Sequence, residues 1–181
     1  MEKLFFSALL AAVVVYIWML ISWAFLPWHV NSFKNLSNAD AFVSQMKNTI
    51  TEPGIYRYPG MPAEATAAAL NEMAGKYAAG PVISFMIYNP TGVPMMNPLE
   101  FVSGFIINYL SAFVAAFLLA NSQFKNKKYF ARVFFVLLIS VFAALVGPLI
   151  EWNWLMFPAA YSFGVALDYL ITWCFAGLIL A

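Results

Sequence analysis

The stretch FPAAYSFGVALDYLITWCFAGLILA, residues 157–181, decides the fold. At a rise of ~1.5 Å per residue it is long enough to cross a hydrocarbon core of ~30 Å as a helix. Asp168 is the one charged side chain in it. Because an ionisable group inside an apolar span is costly unless it faces a partner, we expect Asp168 to point into a packed interior. Any chemistry within the membrane would then lie beside Asp168.

The composition extends this interpretation to the rest of the chain. The protein is 64% hydrophobic and 9% charged, with a mean hydropathy of +0.79, which is typical of an integral membrane protein. We predict a membrane all-α fold, a four-transmembrane-helix bundle with a small α+β extracytoplasmic cap between helices 1 and 2. The predicted parts are transmembrane helix 1 at 1–28, the cap at 29–98, and three helices in 99–181, at 99–120, 129–150 and 157–181.

The basic residues predict the orientation. Five of them lie outside the segment between the first two spans, at the amino end or around the short loop 121–128: Lys3, Lys125, Lys127, Lys128 and Arg132. The positive-inside rule makes both of these places cytoplasmic. We therefore expect a multi-pass protein of a bacterial inner (cytoplasmic) membrane, with both termini cytoplasmic and residues 29–98 extracytoplasmic.

The segment 29–98 has the pattern of a small folded unit. Ser37 is expected to cap a helix whose apolar face runs to Ile50. A second helix is expected from Pro62 to about Tyr77, ended by the dipeptide at 80–81. Strands at 55–58 and 82–88 are expected to pair. A unit of this size rarely builds a self-sufficient core, so we expect it to rest on the outer ends of the spans.

A polar layer is expected inside the bundle. Counting ~15 Å inward from the outer end of each span reaches one hydrogen-bonding side chain per helix. These are Tyr16, Asn108, Ser140 and Asp168, and Thr172 shares the face of Asp168. Small residues on the same faces would let the helices approach closely. We predict that Asp168 bonds to Asn108 or Tyr16, and, because no lysine or arginine lies at its depth, that its carboxyl is protonated and donates a hydrogen bond.

Two further clusters are candidate sites. His29, Glu100 and Glu151 fall at the predicted outer interface and could bind a cation, but the pattern favours an interfacial His29 that bonds to Glu151 or to backbone. The triplet Tyr56-Arg57-Tyr58 could contact a partner or lipid head groups, although strand surfaces often have this composition.

The sequence predicts no catalytic residue, no metal site and no cofactor. One histidine cannot supply both axial ligands of a haem, although a haem or pigment shared with a partner stays open. The lone cysteine, Cys174, cannot form an intrachain disulfide. A net charge of +1 without a basic stripe argues against nucleic-acid binding. The expected partners are the lipid bilayer and a membrane protein, either another chain or a second copy.

The order of these motifs resembles uncharacterised four-span proteins of bacterial inner membranes. The residues that carry the resemblance are PWH at 27–29, PGIYRYPGMP at 53–62, GP at 80–81, WNWLMFP at 152–158 and DYLITWCFAGLILA at 168–181. The resemblance implies a bacterial inner-membrane setting, and it brings no activity and no catalytic residue with it.

Three functions follow from these features. The first is a non-catalytic accessory or structural subunit of a larger membrane assembly, because no catalytic constellation is present. The second is a small proton-linked transporter or permease that uses Asp168. The third is a membrane enzyme with an outer-face site at His29, Glu100 and Glu151.

Overall fold

The computed structural model describes residues 2–181 as a mainly helical chain with one small sheet. The elements in chain order are α1 (Glu2–Phe25), α2 (Pro27–Val30), α3 (Ala39–Thr49), β1 (Gly54–Tyr58), α4 (Ala67–Ala79), β2 (Ile83–Tyr88), α5 (Pro98–Asn121), α6 (Tyr129–Val146), α7 (Pro148–Leu155) and α8 (Ala159–Leu180), with a short 3-10 turn at Gln123–Asn126. The chain divides into two compact units. One is a helical unit of residues 2–34 and Pro94–Ala181, and the other is an α/β unit, Asn35–Val93.

Four helices are long and apolar enough to cross a membrane: α1, α5, α6 continued by α7, and α8. This confirms the four predicted spans and indicates a multi-pass membrane protein. Most large apolar side chains of these helices are exposed, Phe6 and Phe130 among them. Such a surface suits a lipid environment, in which apolar side chains need no burial inside the protein.

Small residues hold the helical unit together. Helix α1 packs against α5 and α8, and α8 also packs against α6, whereas α5 and α6 make few contacts with each other. Alanines and one valine form the core between α1, α5 and α8: Ala8, Ala11, Ala12, Val15, Ala112, Ala116 and Ala176. On α8, a Cβ added at Gly177 would lie 3.3 Å from both Val133 Cγ1 and its carbonyl oxygen. The helices therefore approach closely because their facing side chains are small.

The first predicted span is interrupted near its end. Helix α1 ends at Phe25, and Pro27 begins the separate one-turn helix α2. Proline has no backbone N–H and suits the first turn of a helix, so it favours a new start at this point. Helix α2 packs against α8, where a Cβ at Gly164 would lie 3.3 Å from Trp28 Cβ. The expectation of one continuous helix to residue 28 is therefore wrong.

The third span is also broken, at Gly147-Pro148. Helix α6 ends at Val146, and Pro148 begins α7, which continues to Leu155. The predicted turn at 151–156 is therefore largely helical. The reversal into α8 lies just after it, where Met156 has a left-handed φ of 58°.

The α/β unit contains the predicted pair of strands, which are far apart along the chain. Strand β1 pairs antiparallel with β2, with Gly54 opposite Tyr88 and Ile55 opposite Ile87. This confirms the predicted pairing of 55–58 with 82–88. Helix α4 connects the two strands and ends at Ala79, and the next residue, Gly80, has a φ of 63°, as the glycine-proline dipeptide predicts.

The helix starts in this unit differ from the prediction. Helix α3 is preceded by Asn38, without a side-chain capping bond, so the expected cap at Ser37 is wrong. Helix α4 begins at Ala67 rather than at Pro62, because Thr66 Oγ1 accepts a hydrogen bond from the Ala69 N–H. A capping hydroxyl satisfies an otherwise free amide, which the proline cannot do.

Candidate functional site

Asp168 is the centre of a buried polar cluster between α1, α2 and α8. Its Oδ1 accepts a hydrogen bond from Ser22 Oγ at 2.7 Å and another from Trp18 Nε1 at 3.0 Å. Trp18 and Ser22 are four residues apart, so both side chains leave the same face of α1. One helix thus supplies both donors to a single carboxylate oxygen.

The other carboxylate oxygen faces an imidazole. His29 Nε2 lies 3.4 Å from Asp168 Oδ2. The break before Pro27 is what makes this contact possible, because it lets α2 pack against α8 with His29 buried. The imidazole also stacks on Trp23, with ring centroids 4.1 Å apart and an interplanar angle of 13°.

This cluster, Trp18, Ser22, His29 and Asp168, is closed to its surroundings. The side chain of His29 is 0% exposed and that of Asp168 is 6% exposed. Burying an unpaired carboxylate would cost several kcal/mol. The two hydrogen bonds and the neighbouring imidazole therefore offset a desolvation cost that the apolar helices around them cannot reduce.

The arrangement does not match that of a serine hydrolase. In such an enzyme, one ring nitrogen of the histidine faces the acid and the other faces the nucleophilic hydroxyl. Here Ser22 donates to the acid itself, and neither ring nitrogen of His29 has a hydrogen-bond partner in residues 2–181, although Nε2 lies 3.4 Å from Asp168 Oδ2. The three side chains form a buried acid–imidazole pair with a supporting hydroxyl.

The predicted partners of Asp168 are wrong. Tyr16 instead donates to the carbonyl oxygen of Phe101 at 2.9 Å. Asn108 Nδ2 donates to the Gly104 carbonyl at 3.0 Å and lies 3.8 Å from the sulfur of Met19. The depth count placed the ends of all spans in one plane, but α2 also packs against α8, with Trp28 beside Gly164. Asp168 consequently lies level with Ser22 and Trp18, and His29 is the ionisable neighbour that the count missed.

Trp18 and Ser22 are the site residues that the sequence interpretation missed. A signal for them was present: their spacing of four residues puts an indole N–H and a hydroxyl on one face of an otherwise apolar helix. The second signal was Pro27, which favours a break just ahead of the only histidine.

Ser140 and Thr172 are both buried but lie outside this cluster. Ser140 is 1% exposed, and its hydroxyl has no partner among the residues that the structure describes. It lines a cavity of about 330 Å³ between α5, α6 and α8, together with Ser111, Ala115, Ala143 and Trp173. We call this cavity the α5/α6 groove. The groove is present because α5 and α6 make few contacts with each other.

The predicted outer-face site is not assembled. His29 faces Asp168, so the expected bond to Glu151 is wrong. Glu100 Oε1 is 3.5 Å from Asn97 Nδ2, at the start of α5. Within residues 2–181, no three His, Cys, Asp or Glu side chains lie close enough together to hold a metal ion. The three predicted residues therefore do not form a metal-binding group.

The Tyr56-Arg57-Tyr58 triplet forms most of β1. Arg57 and Tyr58 are exposed, while Tyr56 is half-buried and its hydroxyl donates to the Glu52 carbonyl at 2.8 Å. An exposed arginine beside an exposed tyrosine is compatible with a partner contact, which stays a prediction.

Three comparisons were made with known proteins. No protein-family model, no curated protein and no solved structure matches the chain. The interpretation of function therefore depends on the geometry of the chain itself.

Proposed function

We propose that this protein is a non-catalytic accessory or structural subunit of a larger assembly in a bacterial inner membrane. The observation that carries the proposal is the α5/α6 groove. It lies beside two helices that make few contacts with each other, and its lining combines small residues with the unpartnered hydroxyl of Ser140. Small residues and hydroxyls are the typical contacts between transmembrane helices.

The buried cluster supports the same proposal. A substrate site must admit its ligand, whereas His29 and Asp168 are almost fully enclosed by their own chain. We infer that this pair fixes α2 and α8 relative to α1. The groove is uncharged, so the partner that suits it is an apolar transmembrane helix.

The test is purification from native membranes in a mild detergent. The proposal expects a partner chain at fixed stoichiometry. Ala143→Trp would fill the groove and remove most of that partner, because a bulky ring prevents close approach of helices. The matched control is Leu118→Trp on α5, where the side chain is 42% exposed and lies outside the groove. A chain that purifies alone, or an equal loss with both variants, would contradict the proposal. Recovery of a second copy alone would make the assembly a homo-oligomer.

A second candidate function is proton-linked transport, which the buried His29–Asp168 pair favours. Intramembrane acids and histidines form the proton relays of pumps and transporters. In proteoliposomes, a transporter would dissipate an imposed pH gradient, and Asp168→Asn would stop this. Asp40→Asn in α3 is the control, because Asp40 is an exposed acid outside the spans. A gradient that persists with the unmodified protein, or that collapses equally with Asp168→Asn, would contradict this function.

A further inference from the structure

A second cavity, distinct from the groove, lies where the start of α1, the end of α5 and the start of α6 meet. Its volume is about 280 Å³. We call it the basic cavity, because three of its lining residues are cations: Lys3, Lys125 and Arg132. The remaining lining is apolar apart from Ser7, and it comprises Leu4, Ala116, Leu119, Ala120 and Leu180.

Among residues 2–181, no carboxylate forms an ion pair with these cations. In the described chain, residues 2–181, the ion pairs are His29–Asp168 and Lys76–Glu72. Neither of these pairs involves a residue of the basic cavity. The Nε atom of Arg132 is buried and has no hydrogen-bond partner within residues 2–181. A buried N–H without an acceptor costs about 1–3 kcal/mol, and more when the group is charged.

The position of Arg132 adds to the positive potential. It lies in the first turn of α6, where the helix dipole is positive, and Lys127 and Lys128 precede that turn. A cation is disfavoured at this end of a helix. Arg132 there is therefore explained best by an anion that pairs with it.

We propose that the basic cavity binds the phosphate of an anionic phospholipid. The guanidinium fork of Arg132 matches phosphate oxygens, and Lys3 and Lys125 add charge from two other elements. The apolar lining receives the start of the acyl chains, which a soluble anion would leave empty. Basic pockets between transmembrane helices are a recurrent way of holding acidic lipid head groups.

The test is native mass spectrometry of the detergent-purified protein with phosphatidylglycerol, phosphatidylcholine or inorganic phosphate. The proposal expects bound phosphatidylglycerol in preference to phosphatidylcholine. With Arg132→Gln, retention should be roughly tenfold weaker, the size expected for losing one charge-assisted pair. Lys47→Gln, an exposed cation in α3, is the control and should bind like the unmodified protein.

Lys125→Gln is a second variant that should leave the fold intact, because Lys125 is exposed and lies outside the long helices. It should also weaken phosphatidylglycerol binding, with the thermal unfolding midpoint in detergent unchanged. Equal retention of the two lipids, or no effect of either cavity variant, would overturn the proposal. Saturation by inorganic phosphate that displaces the lipid from the same residues would show that a soluble anion is the ligand, which also overturns it.

Discussion

At the scale of single residues, Asp168 uses its two carboxylate oxygens to contact two different helices. One carboxylate oxygen accepts two hydrogen bonds from α1, and the other faces the imidazole of α2. A single side chain thus connects three helices. Its removal leaves the buried Ser22 hydroxyl and the half-buried Trp18 indole N–H without their acceptor, and the buried His29 without its charged neighbour.

The first prediction concerns this acceptor. Asp168→Leu should destabilise the protein by roughly 3–5 kcal/mol, the range measured when one partner of a buried pair is removed. Asp168→Asn keeps an oxygen that can accept from Ser22 and Trp18, so its cost should be clearly smaller. The measurement is reversible unfolding in mixed micelles, followed by tryptophan fluorescence. Equal losses for the two variants would mean that charge, rather than hydrogen bonding, holds the cluster.

The second prediction concerns an exposed pair. Lys76 Nζ lies 2.7 Å from Glu72 Oε1 in α4, and this hydrogen bond lowers the pKa of Glu72 below its usual 4.5. Glu72 therefore contributes stability above pH 4.5 that is lost as the pH falls through its lowered pKa. Lys76→Gln should raise the pKa of Glu72, as measured by NMR titration of the labelled carboxyl. Because the pair is exposed, high salt should reduce the difference, and a pKa unchanged by the substitution would refute the contact.

At the scale of elements, the helical unit depends on how closely its helices approach. Gly177 allows the backbone of α8 to lie against Val133 of α6, and the alanines of α1 do the same toward α5 and α8. In lipid there is little hydrophobic gain from association, so close packing carries much of the stabilisation.

The third prediction tests this packing. Gly177→Leu should lower the free energy of unfolding by about 1–3 kcal/mol through overpacking. The reason is that even the Cβ of the new side chain would lie 3.3 Å from Val133. Gly75→Leu in α4 is the matched control, since nothing lies within 4 Å of its added Cβ and leucine favours a helix. Unfolding midpoints of the two variants give the comparison. Should Gly177→Leu prove neutral, α6 and α8 are not held by close approach.

The elements also show what a sequence can and cannot predict here. The spans were predictable because each is a run of apolar residues long enough to cross a bilayer. The strand pairing was predictable because β-branched and aromatic residues cluster in both strands. The partners of Asp168 were not, because they depend on where α1 ends. A break at Leu26 moves His29 back against α8, whereas a continuous helix would carry it away. A depth counted along straight, continuous helices misses the change of direction at such a break.

At the scale of the whole molecule, the charges divide along the chain. The cations around the loop 121–128 and Lys3 have no ion-pair partner in the part of the chain that the structure describes. The α/β unit carries one ion pair, Glu72–Lys76, and two further cations, Lys47 and Arg57, that have no ion-pair partner among the described residues. By the positive-inside rule, the basic residues at the amino end and around the loop 121–128 predict that both termini are cytoplasmic, which stays a prediction.

The fourth prediction tests that orientation. In a Cys174→Ala background, Lys47→Cys should react with a membrane-impermeant maleimide in intact bacterial cells whose outer membrane has been made permeable. Lys127→Cys should react only after the inner membrane is opened. Both side chains are exposed in the structure, so burial does not limit the labelling. The reverse pattern would invert the proposed topology.

The short helix α2 has a mechanical consequence. It is the chain's exit from the helical unit toward residue 35, and His29 connects it to the middle of α8 through Asp168. Because α2 contacts both the end of α1 and α8, a force on the chain after α2 would be shared between these two helices. The His29–Asp168 contact at 3.4 Å would then carry part of such a force from α2 into the middle of α8.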